Sequence, residues 1–174
     1  AASDVYKRQV MPSISTPNTR ADMPVLYSFR RCPYAMRARM AITASGLNVE
    51  LRDILLKDKP EEMISASPKA TVPVLVTNDG QILEESLDIL YWGLEQSDPE
   101  CWLPEDGEQL REIKNLIAEN DGPFKSALER YKYHVRFPEK SREDYRQEGE
   151  NFLAKLENRL AQGNFLMGEA PTVA

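Results

Sequence analysis

A short apolar run that stops at a cysteine and a proline constrains the fold of this chain more than any other stretch. Residues 25–29, Val-Leu-Tyr-Ser-Phe, are mostly β-branched, aromatic or apolar and predict a buried strand. Pro33 suits the first position of a helix, because the N–H group that it lacks would have no partner there. Cys32 is therefore predicted to lie at a helix N-terminus, between this strand and a helix that ends at Gly46.

Cys32 in this place is a candidate nucleophile. The unpaired N–H groups and the positive dipole end of a helix stabilise a thiolate, and the arginines of residues 30–39 add positive charge to the same segment. The alternative is an inert core cysteine, since free cysteines are often small buried residues. The order strand, Cys-Pro, helix is the one that thiol–disulfide enzymes use, and it favours the reactive thiol.

The bulk composition restricts the class of protein and its partners. The 174 residues are 41% hydrophobic and 29% charged, which is ordinary for one large or two small globular domains. The net charge of −6 argues against nucleic acid or an acidic membrane surface as a partner. No apolar run is long enough to span a bilayer, no secretory signal is found, and the distant Cys32 and Cys101 fit a reducing compartment. We therefore expect a cytoplasmic protein that is not attached to a membrane.

Residues 1–22 are predicted to be a disordered leader, because they contain serine, threonine and proline without an apolar period. Within them, residues 4–9, Asp-Val-Tyr-Lys-Arg-Gln, resemble the translation of an adaptor used to prepare sequencing libraries. We expect this part to be adaptor-derived and to contribute nothing to the fold.

The segment after Gly46 alternates between strand and helix patterns. The predicted elements are strands at 49–55, 71–76 and 81–85 and helices at about 60–67 and 86–96. Residues 78–80, Asn-Asp-Gly, predict a hairpin between the last two strands, and Ser86 is predicted to be the N-cap of the final helix. A proline inside a strand pattern fits either a cis Val72–Pro73 bond or an ordinary trans proline on an edge strand.

In the helix at 33–45, an apolar stripe predicts the buried face. The stripe comprises Met36, Met40, Ala44 and Leu47. Methionines at this spacing could form a soft metal-ligand box, but such a stripe is more often core, and we predict core.

Beyond about residue 105 the strand signal stops. Helical patterns cover 106–133, with a kink at Gly122–Pro123, and 141–162, with Gly163 as the C-cap. The predicted apolar side of the second pattern comprises Tyr145, Phe152, Leu153, Leu156 and Leu160. The order β-α-β-α-β-β-α followed by helices predicts an α/β domain and then an all-α domain.

Three motifs in this order resemble those of the cysteine-type glutathione S-transferases, omega-like and related to glutaredoxins. The motifs are Cys32-Pro33-Tyr34-Ala35, Thr71-Val72-Pro73 and Glu85-Ser86, and the resemblance extends over nearly everything from Val25 onward. It implies a thioredoxin-like, glutathione-binding domain at 23–97, a linker at 98–105 and a helical domain at 106–174. It also implies glutathione as co-substrate, a small oxidised or electrophilic second substrate, and a possible homodimer.

The resemblance implies a catalytic role for Cys32, as the thiolate that faces glutathione and forms a mixed disulfide with it. Val72, held by a cis Pro73, would pair its backbone with the cysteinyl part of glutathione as an added strand. Tyr34 is the nearest aromatic and would only assist. Ala35 stands where a thioredoxin has its second cysteine, so the expected cycle uses one protein thiol.

The resemblance also implies residues for the two ends of glutathione. Glu85 and Ser86 would hold the γ-glutamyl end at a helix N-terminus. Lys59 matches the position that faces the glycyl carboxylate.

Two other functions stay open beside thiol transfer, dehydroascorbate reduction or removal of glutathione from adducts. One is a conjugating glutathione S-transferase, and the other is a non-catalytic interaction or regulatory module with the same fold. Cys101 is predicted to be structural. The only histidine, His134, has no cysteine or second histidine at ligand spacing, so no metal site is predicted.

Residues 163–174 resemble the approach to a further buried helix. Thr172 would be its cap, and the acidic partner of a capping box would fall at position 175, beyond the sequence. We therefore expect the helical domain to be truncated and the pocket for the second substrate to be incomplete.

Overall fold

The chain forms two compact units. The computed structural model describes residues 23–174. The first unit ends at Glu100, and the second comprises Cys101–Ala174. The predicted leader at 1–22, with its adaptor-like part, lies outside the described residues.

The first unit contains a four-stranded mixed sheet and three helices. Its elements are β1 (Val25–Ser28), α1 (Pro33–Ser45), β2 (Glu50–Asp53), α2 (Glu61–Ala66), β3 (Val74–Val76), β4 (Ile82–Leu83) and α3 (Ser86–Gln96). The strands lie in the order β2-β1-β3-β4. β1 is parallel to β2, because α1 crosses over between them, and antiparallel to β3, which pairs with β4 as a hairpin. The predicted thioredoxin-like order β-α-β-α-β-β-α is confirmed.

Neighbouring residues of β1 anchor the two faces of the sheet. One buried cluster contains Leu26, Ala38, Ile42, Leu75 and Ile89. The other contains Tyr27, Ile54, Met63 and Val74. Because successive side chains of a strand point to opposite faces, Leu26 packs towards α1 and α3 while Tyr27 packs towards α2. Each fully buried large apolar side chain contributes about 1.5–3 kcal/mol, so β1 is held from both sides.

The buried face of α1 is not the predicted one. Met36 and Met40 are 42% and 60% exposed, so the prediction that they are core is wrong. The buried residues of α1 are instead Ala35, Ala38, Ala41, Ile42 and Ser45. These mostly small side chains allow close packing against α3, where a Cβ on Gly93 would lie 3.2 Å from Cδ1 of Ile42. Two helices that pack closely need small side chains at their contact, and the spacing of apolar residues in the sequence does not indicate side-chain size.

Two predicted turns are confirmed in the first unit. Gly46 ends α1 with a φ of 69°, and its N–H donates to the carbonyl of Thr43. In the hairpin, the N–H of Thr77 donates to the carbonyl of Gln81, and Gly80 has a φ of 83°. The strand before this hairpin is shorter than predicted and begins at Val74, because the proline before it has no N–H to donate to a ladder.

All named elements of the second unit are helical. They are α4 (Gly107–Glu119), a π-helical turn (Asn120–Phe124), α5 (Lys125–Lys132), a 3-10 turn (His134–Arg136) and α6 (Arg142–Leu160). The predicted kink at Gly122–Pro123 is the π-helical turn. Pro123 cannot donate to the preceding turn, and the N–H of Lys125 reaches back five residues to the carbonyl of Asn120.

A capping box begins α6. The Ser141 hydroxyl accepts a hydrogen bond from the Asp144 N–H at 3.1 Å, and the Asp144 carboxylate accepts one from the Ser141 N–H at 3.2 Å. The helix is capped at its other end by Ala161, so the prediction of Gly163 as C-cap is wrong. Gly163 has a different requirement, since a Cβ on it would lie 2.8 Å from the carbonyl oxygen of Gly168.

The predicted apolar side of α6 is buried only as far as Phe152. Tyr145 and Phe152 are buried, and the ring of Phe152 lies 4.8 Å from that of Phe124, centroid to centroid. Leu153 and Leu160 are 49% and 46% exposed, which contradicts their predicted burial. α6 packs against α5 and the π-helical turn.

Candidate active site

Cys32 occupies the N-cap position of α1. Its N–H donates to the carbonyl of Phe29, its own carbonyl accepts the first helical hydrogen bond from Met36, and Pro33 is the first residue of the helix. The side chain is half-buried. The turn after β1 therefore presents the sulfur at the positive end of the helix dipole, as the Cys-Pro pair predicts.

The sulfur of Cys32 contacts the segment that precedes β3. Its Sγ lies 3.6 Å from the carbonyl oxygen of Val72. The Val72–Pro73 peptide bond is cis, as the resemblance implies, and Pro73 is buried while Val72 is half-buried. The structure thus brings together three of the residues that the sequence singles out.

Glu85 and Ser86 lie where β4 leads into α3. Glu85 is the extended residue before the helix, and its exposed carboxylate forms an ion pair with Lys69. This hydrogen bond raises the pKa of Lys69. Ser86 is the first residue of α3 and not its N-cap, so that prediction is wrong. Ser86 is 5% exposed, and its hydroxyl accepts a hydrogen bond from Nη1 of Arg37 at 3.1 Å.

Arg37 is a residue of the site that the motifs do not reveal. Its guanidinium lies 5.6 Å from the ring centroid of Tyr34, one turn earlier on α1. It also acts on Tyr91 of α3: burial raises the pKa of this tyrosine, and the charge of Arg37 opposes the shift. The sequence shows Arg37 only as one of several cations near Cys32, and no local signal pairs it with Ser86.

Two other arginines of the segment at residues 30–39 make different contacts. Nη1 of Arg39 donates to the hydroxyl of Ser28 at 2.5 Å and its Nη2 to the carbonyl of Arg30 at 3.1 Å. The guanidinium of Arg31 lies 5.6 Å from the ring centroid of Phe29. Arg39 therefore holds the end of β1 in place, which fixes the turn that carries the cysteine.

Lys59 is half-buried in the connection between β2 and α2, directly before Pro60. None of the contacts described for residues 23–174 joins Lys59 to Cys32, Val72 or Ser86. Its role at the glycyl carboxylate stays a prediction.

Cys101 and His134 lie outside this site. Cys101 is exposed and free, and its structural role stays a prediction. Across the part of the chain that is described, no group of three or more His, Cys, Asp or Glu residues could hold a metal ion. No helix described between residues 23 and 174 is long and apolar enough to cross a membrane.

Comparisons with known proteins identify the family. A family model described as "Glutathione S-transferase, N-terminal domain" matches residues 26–102. A probable glutathione transferase of Aplysia californica is 37% identical over 71 residues, which are 41% of this chain and 75% of the relative. The chain belongs to the glutathione S-transferase family.

Omega-class members of the family are among the similar proteins. Glutathione S-transferase omega-1 of Mus musculus is 30% identical over 152 residues, which are 85% of this chain and 61% of the relative. The structure of glutathione transferase Omega 2C from Trametes versicolor has a TM-score of 0.72 at 22% identity, and the match covers 87% of this chain and 69% of that one. The resemblance to omega-like glutathione S-transferases is thereby confirmed, and the chain spans less than two thirds of the mouse relative.

Proposed function

We propose that this chain carries the catalytic thiol of a glutathione-dependent thiol transferase, and that Cys32 forms a mixed disulfide with glutathione. The observation that supports this most directly is the 3.6 Å contact between Cys32 Sγ and the carbonyl oxygen of Val72. The sulfur at a helix N-terminus is thus next to a backbone segment that lies at the start of a strand. A peptide paired with that segment would hold its own cysteine beside Cys32.

The reaction is a pair of thiol–disulfide exchanges. The Cys32 thiolate attacks the glutathionyl sulfur of a mixed disulfide; the Cys32–glutathione S–S bond forms, and the substrate leaves as a thiolate that takes up a proton. The thiolate of a second glutathione then attacks the same glutathionyl sulfur. This step releases oxidised glutathione and restores the Cys32 thiolate, so the substrate is reduced at the expense of glutathione.

A single protein thiol suffices for this cycle. Three residues after Cys32 the chain has Ala35, which is fully buried against the core and carries no sulfur. Resolution of the mixed disulfide is therefore assigned to the second glutathione and not to an internal dithiol.

The proposed glutathione-binding site contacts the cysteinyl part and both ends of the tripeptide. The Val72 backbone, shaped by the buried Pro73, would pair with its cysteinyl part. Glu85 and Ser86, where α3 begins, would take the γ-glutamyl end, and Lys59 would take the glycyl carboxylate. The half-buried Tyr34 is assigned an assisting role beside the thiol.

The proposal extends to partners and location. Family membership supports glutathione as co-substrate, and we assign a small oxidised or electrophilic molecule as second substrate. The net charge of −6 argues against nucleic acid or an acidic membrane surface as a partner. We also propose that the protein is a cytoplasmic homodimer and that its reaction needs no metal.

Mass spectrometry of the full chain after exposure to oxidised glutathione tests the proposal. We expect one glutathione adduct, on Cys32, which disappears in Cys32→Ala and persists in the matched variant Cys101→Ala. Cys101 is the more exposed thiol, so unselective oxidation predicts the opposite order. Adducts on Cys101 alone, or on both cysteines at equal rates, would overturn the proposal.

The same variants separate the two other functions. A conjugating transferase would retain glutathione conjugation of an aryl halide in Cys32→Ala. A non-catalytic module would bind no glutathione and form no adduct on Cys32. Loss of thiol transfer in Cys32→Ala, with binding of reduced glutathione retained, is the result expected for a thiol transferase.

A further inference from the structure

Cations and aromatic rings are concentrated where α5 leads into α6. Residues 130–142 contain five lysines or arginines and a single carboxylate, Glu139, although the whole chain has a net charge of −6. Four of these cations lie within 6.0 Å of the centroid of an aromatic ring. We call these four cations and two of the rings the basic–aromatic cluster, which comprises Arg130, Tyr131, Lys132, Tyr133, Arg136 and Arg142.

Tyr133 contacts two cations of the basic–aromatic cluster. Nζ of Lys132 lies 5.8 Å from its ring centroid, and Cζ of Arg136 lies 5.2 Å from it. Arg142 lies 4.8 Å from the ring centroid of Tyr131, and its Nη2 donates to the hydroxyl of that tyrosine at 3.3 Å. Significant cation–π pairs occur roughly once per 70–80 residues, so this short connection holds far more of them than an average stretch of chain.

Backbone hydrogen bonds hold the basic–aromatic cluster in one conformation. The N–H of Tyr133 donates to the carbonyl of Glu129 at 2.9 Å, where α5 ends, and the N–H of Arg136 donates to the carbonyl of Tyr133 at 2.8 Å. The capping box at Ser141 fixes the start of α6 directly before Arg142. The cations are therefore presented by ordered turns, which lowers the entropic cost of using them to bind a ligand.

Carboxylates of the chain do not neutralise these cations. Across residues 23–174, none of the four cations of the cluster forms an ion pair. Nearby, Lys140 pairs with Glu148, and Glu139 accepts a hydrogen bond from the hydroxyl of Tyr145 at 3.2 Å. The C-terminal end of α5 carries partial negative charge, so cations are stable there without a carboxylate. The cluster thus keeps its positive charge available for an acidic ligand.

The arrangement of the rings favours a peptide carboxylate over a nucleic acid. Single-stranded nucleic acids stack their bases on open aromatic faces, whereas the exposed ring of Tyr133 already has two cations over it. The net charge of −6 also repels a dense polyanion more than it repels a few carboxylates. Between Tyr133 and Arg136, the side chain of Val135 is 83% exposed and offers an apolar contact beside the cations.

We propose that the basic–aromatic cluster is a docking surface for an acidic segment of a partner protein, in which carboxylates flank an apolar side chain. The carboxylates accept hydrogen bonds from Lys132 and Arg136, and the apolar side chain contacts Val135. This surface belongs to the second unit. The inference does not depend on the proposed chemistry of Cys32.

Fluorescence anisotropy with a dye-labelled peptide tests the proposal on the full chain. The probe is a short synthetic peptide of glutamates around one leucine, and its matched control has glutamine in place of every glutamate. We expect the glutamate peptide to bind and the glutamine peptide not to bind at the same concentrations. Added sodium chloride should weaken the binding, because salt screens attraction between exposed charges.

The informative variant is the double replacement Lys132→Gln and Arg136→Gln. We expect it to bind the glutamate peptide about five- to tenfold more weakly, because two contacts between exposed opposite charges are lost. The control replacement, Arg111→Gln and Lys114→Gln, removes the same charge from exposed residues of α4 and should bind as the parent chain does. Val135→Ser should also weaken the binding, and at such an exposed position it leaves the fold intact.

Four results would each overturn the proposal. Equal weakening in the α4 control would reduce the effect to net charge, and equal binding of both peptides would show that carboxylates are not recognised. Absence of binding at millimolar glutamate peptide would exclude the docking surface. Single-stranded DNA or phosphatidylserine vesicles that bind the parent chain more tightly than the peptide does, and lose that binding in the cluster variant, would assign the cluster to another class of anion.

Melting temperatures close to that of the parent chain are expected for all variants.

Discussion

The thiol of Cys32 and the carbonyl oxygen of Val72 lie 3.6 Å apart, although forty residues separate them in the chain. The Cys32 thiol donates this hydrogen bond, and a thiolate has no proton to donate, so nucleophilic attack requires that the contact open. A peptide paired with the Val72 backbone would then lie beside the sulfur. The same contact therefore bears both on the reactivity of the thiol and on the backbone segment with which a thiol-containing peptide would pair.

We expect iodoacetamide to alkylate Cys32 faster than Cys101 at neutral pH. Cys101 is more exposed, but Cys32 lies at the N-cap of α1, and the positive end of a helix dipole favours the thiolate that attacks the reagent. Peptide mapping by mass spectrometry at successive times gives the two rates. In denaturant, as the control, the rates should become similar; faster labelling of Cys101 in the folded chain would contradict the prediction.

Replacement of Gly93 by valine should destabilise the first unit by about 1–3 kcal/mol, because the added methyl groups overpack the α1–α3 contact. Even a Cβ at this position would lie 3.2 Å from Cδ1 of Ile42. In Gly93→Ala, the better helix propensity of alanine, about 1 kcal/mol, offsets a small movement of the isoleucine. Urea denaturation measures both variants, and equal free energies of unfolding for Gly93→Val and the parent chain would show that the helices are not closely packed.

Ser141→Ala should lower the free energy of unfolding by about 1 kcal/mol, the usual cost of removing an N-cap hydroxyl. The hydroxyl accepts the N–H of Asp144 at 3.1 Å, and no other group of the capping box can replace it. Thermal unfolding compares this variant with Ser141→Thr, which keeps the oxygen. An equal loss in both variants would mean that the hydroxyl is not the source of the effect.

The stability contributed by Asp144 should depend on pH. The hydrogen bonds from Ser141 hold the pKa of the Asp144 carboxyl below its ordinary value of 3.8. A carboxyl with a lowered pKa in the folded state stabilises the fold above that ordinary value and loses its contribution as pH falls further. Asp144→Asn should therefore lower the melting temperature more at pH 6 than at pH 3. Glu143→Gln changes the charge of the same helical turn without breaking the capping box, and its effect should be smaller.

Gly163→Ala should destabilise the second unit, whereas Gly122→Ala should be neutral or stabilising. A Cβ on Gly163 would lie 2.8 Å from the Gly168 carbonyl oxygen, and a backbone atom cannot turn away as a flexible side chain can. Around Gly122 nothing lies within 4 Å of the added Cβ. Guanidinium denaturation of the two variants checks this, and equal midpoints would contradict it.

Local signals predicted the order of elements in the first unit and the position of its candidate nucleophile. Pro33 favours a helix start and places Cys32 at the N-cap, and Gly46 ends the same helix in a left-handed conformation. The Asn-Asp-Gly turn at 78–80 pairs β3 with β4. Each of these features depends on backbone preferences within a few residues, so each can be predicted from the sequence.

Local sequence signals do not predict the contacts between elements. Apolar spacing selected Met36 and Met40 as core, but the close approach of α3 buries the alanine face of α1 instead. Ser86 was predicted from local preference as a cap, and its hydroxyl instead receives the Arg37 side chain from another helix. No periodicity or propensity scale contains such a pairing, because the two residues stand forty-nine positions apart.

The sequence by itself determined that a cysteine begins a helix after the first strand of a β-α-β-α-β-β-α order, because neighbouring residues govern where strands stop and helices start. Only the tertiary structure decided which face of α1 is buried, and that Arg37 meets Ser86 beside the start of α3. These outcomes depend on how closely two helices and a sheet pack, and close packing is set by side-chain size and position in three dimensions.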